Sequence, residues 1–156
     1  MQYKIIRSST KDIALLKEYK KKTIYEYAKG LSDNEIANIN NYIDREVHTL
    51  LENYYNIIVN NKIIGCLMLT EHDDGKLLGE FFIEEAYRNQ KIGTSILKNI
   101  INDNNHVYLW VYKENIKALS LYKRLGFKIK EETETRYYME YCNKQKNKWF
   151  YSIEWP

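Results

Sequence analysis

Two stretches with helical apolar spacing, each set between strand-like runs, make the second half of this chain an alternation of strand and helix. After Lys91, the residues Gly93, Ile96, Leu97 and Ile100 recur at i, i+3, i+4 and i+7. Ala118, Leu121, Tyr122 and Leu125 repeat the pattern ahead of Gly126, a residue suited to closing a helix. The run 76–85, "KLLGEFFIEE", precedes the first stripe, "HVYLWVY" (106–112) separates the two, and "FKIK" and "RYYMEY" follow the second. Strand, helix and strand in succession, twice over, require two crossovers. The expected fold class is therefore α/β, with a mixed, mostly antiparallel central sheet flanked by helices on both faces.

The first half reads by the same rules. Residues 2–7 form a first strand, and Ser8, Ser9 and Thr10 offer capping oxygens to a helix running to about Lys29, where Gly30 ends it. Ser32-Asp33-Asn34-Glu35 is a capping box ahead of Ile36, Ile39, Ile43, Val47 and Leu50 at helical spacing. "YYNIIV" and "KIIGCLMLT" flank Asn60-Asn61, a pair tolerant of positive φ, which predicts a hairpin; "HDDG" then turns the chain into the run from Lys76.

A length of 156 residues suits one domain with a substantial core, taken as 1–142, followed by a tail, 143–156. The net charge of +3 permits an anionic ligand, and the lack of a clustered basic stripe argues against a nucleic-acid partner. No apolar run approaches the length of a membrane helix, and the start "MQYKIIRSSTKDIALL" is strand-like and then charged, so a cytoplasmic protein without a membrane partner is expected. Cys66 and Cys142 form no C-x-x-C pair and read as two reduced thiols.

Between the 76–85 strand and the stripe from Gly93 lies "AYRNQKIGT". A turn leading from a strand into a helix gathers free N–H groups at the positive end of the helix dipole, an anion site by construction. It matches neither the P-loop pattern nor the G-x-G-x-x-G fingerprint. On its own it reads equally as a plain connection.

The next segment, "LWVYKENIKALSLYKRLGF", decides between these. Asn115, Ala118, Tyr122, Gly126 and Phe127 match N-x-x-A-x-x-x-Y-x-x-x-G-F, and Arg88 to Gly93 match R-x-x-G-x-G/A with Lys91 in place of the first glycine and Glu85 where a proline is common. Together the segments, over about 76–127, resemble the GCN5-related N-acetyltransferase (GNAT) family. The resemblance implies the GNAT acyl-CoA fold and acetyl-CoA as acetyl donor. Its pyrophosphate would be held by the backbone of Arg88, Asn89, Gln90, Lys91, Ile92, Gly93 and Thr94, provided Lys91 keeps negative φ. The Lys91 side chain can either pair with a phosphate or point to solvent. The strands 76–84 and 106–112 would splay, with pantetheine adding to the strand edge along Phe81, Phe82 and Ile83.

Amine acetylation requires a neutral amine, a polarised thioester and a proton for the departing thiolate. The resemblance makes Tyr122, a phenol with pKa near 10, the acid, and lets Asn115 bond pantetheine, cap its helix, or both. For the base, Glu80 is the one carboxylate within the apolar "LLGEFF", where burial would raise its pKa. A water relay, or binding of an already neutral amine, stays open. Members acting on protein N-termini carry L-E-V-R where this chain has Leu109-Trp110-Val111-Tyr112, which argues against that acceptor class. The expected function is acetyl transfer to a primary amine of a small molecule or peptide. Alternatives are a catalytically weak CoA-binding or interaction module and a tRNA-directed acetyltransferase. His48 and His106 read as structural, and His72-Asp73-Asp74-Gly75 as turn chemistry, so no metal is expected. The tail "KWFYSIEWP" alternates aromatic residues and is expected to dock on its own chain or on a second copy in a homodimer.

Overall fold

The computed structural model of the chain describes residues 2–143. The elements in order are β1 (Lys4–Arg7), α1 (Ile13–Tyr27), α2 (Asp33–Thr49), β2 (Tyr54–Val59), β3 (Lys62–His72), β4 (Gly75–Ile83), α3 (Ile92–Asp103), β5 (His106–Tyr112), α4 (Ile116–Leu125), β6 (Lys128–Glu132) and β7 (Arg136–Cys142). The strands follow the order β1-β2-β3-β4-β5-β7-β6. β4 and β5 pair in parallel, and the ladders of β1 with β2, β2 with β3, β5 with β7 and β6 with β7 are antiparallel. The mixed, mostly antiparallel sheet with flanking helices read from the sequence is thus borne out. The tail from residue 144 onward lies outside the described residues. Among the described residues, no helix is long and apolar enough to cross a membrane.

Two compact units divide the chain. The first comprises residues up to Leu69 together with Glu80–Gln90. Leu16 and Tyr19 of α1, Ile43 and Val47 of α2, and Tyr54, Cys66, Met68 and Phe82 of the strands form its core cluster. The stripe spacing of both helices places those residues inward. The capping box at Ser32 is present: the Glu35 N–H donates to Ser32 Oγ (3.2 Å), and the Ser32 N–H donates to the Glu35 carboxylate (3.3 Å). The chain turns from β2 into β3 with Asn60 and Asn61 both at positive φ (50° and 64°), as the hairpin requires. α1 departs from expectation at both ends. A 3-10 turn, Thr10–Asp12, precedes it, because Asp12 accepts from the Ser9 N–H (2.8 Å) and from Asn56 Nδ2 (3.0 Å) and so tightens the first turn. The helix then ends at Tyr27, short of Lys29.

The second unit comprises Thr70–Gly79 and the chain from Lys91. Its interior holds Ile92, Ile96, Leu97, Ile100 and Ile101 of α3, Val107, Leu109 and Val111 of β5, and Phe127 and Met139. The ladder between β4 and β5 covers only Lys76–Leu78 and Val107–Leu109, leaving Gly79 outside it. On the alternate side of β5, Tyr108 stacks on Tyr138 (centroids 5.9 Å apart), and Asp74 accepts from Tyr108 Oη (2.7 Å) and pairs with His106 Nδ1 (2.5 Å). Asp74 and His106 therefore brace the turn before β4, the structural role expected of them.

Candidate active site

In the first unit, alternation along β4 puts Glu80 and Phe82 on the side of the α1 and α2 core, with Phe81 and Ile83 on the other. Phe82 stacks on Tyr19 with centroids 4.7 Å apart. Glu80 is only 7% exposed. Tyr54 Oη donates to its Oε2 at 2.6 Å, and Lys20 Nζ lies 3.7 Å from the same oxygen. Burial raises the Glu80 pKa, against the opposing pull of Lys20 and the Tyr54 hydrogen bond. Its other oxygen, Oε1, is buried with no hydrogen-bond partner among the described residues. Four residues on, Glu84 differs: Tyr19 Oη donates to its Oε1 (2.8 Å) and Lys62 lies 3.8 Å from its Oε2.

After β4, a short 3-10 turn (Glu85–Tyr87) leads to Arg88, whose Nε donates to the Ile83 carbonyl (2.7 Å) and whose guanidinium sits 5.4 Å from the Phe82 ring centre. Arg88 thus folds back and ties the turn to the strand. Asn89 has φ 60°, and Gln90 Nε2 donates to the Ala86 carbonyl (3.1 Å).

In the second unit, Lys91 opens α3 with φ 66° and ψ 7° and provides no side-chain cap. The expectation of negative φ at Lys91 is overturned. The turn needs a left-handed residue at the family's glycine position, and the lysine takes that geometry at a cost of about 1–2 kcal/mol. The first intrahelical bond runs from the Ser95 N–H to the Lys91 carbonyl (3.0 Å), so the N–H groups of Ile92, Gly93 and Thr94 precede the helical ladder. Gly93 is half-buried, while Ile92 takes the buried place on the stripe. Replacing Lys91 with glycine is expected to raise the melting temperature by about 2 °C, from relief of roughly 0.5–1 kcal/mol net. If backbone alone holds a ligand here, its affinity stays unchanged in that variant.

Asn115 Oδ1 accepts from the Ala118 N–H (3.3 Å) and caps α4, so the capping role expected of it is real. Two turns on, Tyr122 is buried against Phe127 (centroids 5.7 Å apart). Burial alone pushes its phenol up to about 12, correcting the value near 10 expected of a free side chain. Gly126 closes α4 with φ 105°.

Residues 51–129, half of the chain, match the acetyltransferase (GNAT) domain family. The chain is a GNAT acetyltransferase by family. The spermine/spermidine N(1)-acetyltransferase of Bacillus subtilis (strain 168) is 33% identical over 63 residues, 36% of this chain and 41% of that protein, so the chain spans less than half of that relative. Among solved structures, the PaiA N-acetyltransferase of Thermoplasma acidophilum in complex with coenzyme A is 20% identical at a TM-score of 0.70, covering 92% of this chain and all of that one. An acetyltransferase of Thermus thermophilus is 15% identical at a TM-score of 0.71, over 92% and 98% of the two chains. At those identities the structures establish a shared fold.

In this GNAT chain, sequence reasoning missed Lys20 and Tyr54, the partners of Glu80. A signal for the first was present: Lys20 stands four residues after Leu16 on the buried stripe of α1, and a lysine there requires a buried anion. For Tyr54 there was none, since an apolar strand accommodates a tyrosine without a partner. Trp110, where some GNAT members carry a base, is 39% exposed with the Arg136 guanidinium 5.1 Å above its ring. Cys66 is buried and Cys142 half-buried, and the two are not joined in a disulfide. Among the described residues, no three His, Cys, Asp or Glu side chains gather to hold a metal.

Proposed function

We propose that the protein transfers the acetyl group of acetyl-CoA to a primary amine of a small molecule or peptide, by direct attack of the amine on the thioester. The observation that carries this reading is the start of α3, where three leading N–H groups meet no side-chain cap and the helix dipole favours an anion such as a pyrophosphate. Acetyl-CoA supplies the activated acyl group. Glu80 takes the amine proton, the new C–N bond forms as the C–S bond breaks, and Tyr122 gives its proton to the departing thiolate. The raised pKa of Tyr122 keeps that proton in place throughout the neutral range. Asn115 holds the first turn of α4 and with it the placement of Tyr122. Likeness to the spermine/spermidine enzyme puts polyamines first among acceptors, and Trp110 in place of a carboxylate puts protein N-termini last.

Acetyl-CoA at about 100 times its dissociation constant should add roughly 2.7 kcal/mol to the native state and raise the melting temperature by about 5–10 °C. Gly93→Leu should abolish that shift. No shift in the unaltered protein at large excess would remove the reading. Release of CoA thiol across polyamines, aminoglycosides, amino acids and peptides then identifies the acceptor.

A further inference from the structure

A lysine and a carboxylate that are both buried have to be explained together. Lys20 and Glu80 are each 7% exposed, and an isolated charge at either place would be strongly unfavourable. A symmetric pair would satisfy both oxygens of the carboxylate, yet the Lys20 ammonium and the Tyr54 hydroxyl both address Oε2, and Oε1 is left buried with no partner among the described residues. The ammonium is itself steadied from its other side, 5.5 Å from the centre of the Tyr42 ring. Buried polar atoms without partners are uncommon in native proteins, and each calls for an explanation, a catalytic role among them. Glu84, on the same strand end, has both oxygens engaged and shows that the asymmetry at Glu80 is not general to this part of the fold.

We propose that Lys20 is a positioning residue for acetyl transfer: with Tyr54 it holds the Glu80 carboxylate by Oε2, so that Oε1 is presented to receive the proton of the acceptor amine. The inference rests on Glu80 acting as base. In the step, the nitrogen electron pair forms the bond to the acetyl carbon as the C–S bond breaks and coenzyme A leaves as the thiolate, and the amine N–H bond breaks as its proton passes to Oε1. The charge of Lys20 also sets the pH at which Glu80 becomes competent. Around the carboxylate, α1 contributes Lys20, α2 contributes Glu46 and Tyr42, β2 contributes Tyr54 and β3 contributes the Cys66 thiol. Of these, Lys20 is the cation, and Glu46 opposes it.

The test is a carbon-detected NMR titration of the Glu80 carboxyl in the full chain, in wild type, Lys20→Met and Lys20→Arg. Loss of the neighbouring cation should move the Glu80 midpoint upward by about one unit or more, whereas arginine should hold it near the wild-type value. An unmoved midpoint in folded Lys20→Met overturns the inference. Should the methionine variant fail to fold, the unaltered protein decides: the Lys20 Cε resonance should show a step at the Glu80 midpoint that vanishes in Glu80→Gln, and its absence in wild type overturns the inference equally. With acetyl-CoA and spermidine as probes, the acid limb of the kcat/KM profile should follow the same shift. A limb lost in Glu80→Gln but unmoved in Lys20→Met sinks the role of Lys20 and leaves the base in place; a profile unchanged in Glu80→Gln removes the base itself.

Discussion

Tyr122→Phe is expected to slow acetyl transfer about 100-fold, with coenzyme A affinity and folding retained. Phenylalanine keeps the ring packed against Phe127 and removes only the hydroxyl, so a change confined to turnover isolates proton donation from packing. The pH dependence gives a second check. Because burial carries the phenol up to about 12, wild-type activity should show no falling limb from this group between pH 7 and about 11. Its contribution to stability has a definite sign: the folded state holds the proton more tightly than the unfolded chain, whose phenol titrates near 10. That contribution is complete below pH 10 and is lost as the pH rises through 12, and the phenylalanine variant should lack it. Full turnover in Tyr122→Phe would assign the residue to packing alone.

Gly65→Ala is expected to cost about 3 kcal/mol and lower the melting temperature by roughly 10 °C. A Cβ at this position would overlap the Phe82 carbonyl oxygen and come within 3.1 Å of Ile83 Cα, and neither backbone atom can move without disturbing β4. The strand that would be displaced carries Glu80 between Tyr54 and Lys20 and Phe82 against Tyr19, so the damage should extend from stability to the Glu80 midpoint. Thermal melting of the variant against the unaltered protein measures the effect of the contact; an unchanged melting temperature would show that crowding at Gly65 is harmless.

The element order was legible because its signals are local. Helical stripes at 93–100 and 118–125, the Ser32–Glu35 box and the Asn60-Asn61 turn each act within a few residues, and each appears where it was expected, except that Ile92 rather than Gly93 takes the buried place at the start of the first stripe. The two GNAT motifs were legible for the same reason, since a turn and a capped helix are continuous pieces of chain. Even here the backbone departed from expectation at Lys91, where the geometry of the turn prevailed over the preference of the side chain.

By itself, then, the sequence determined the succession of strands and helices, the turn that opens α3 and the register of Asn115 and Tyr122 on α4. Tertiary structure decided what surrounds them. Glu80 meets Tyr54 from 26 residues away and Lys20 from another helix, and burial where they converge raises the pKa of Glu80 and of Tyr54. Periodicity shows which face of an element is buried, but electrostatic environment is set by what other elements bring to that face, and only the folded chain brings Lys20, Tyr54 and Glu80 to one point.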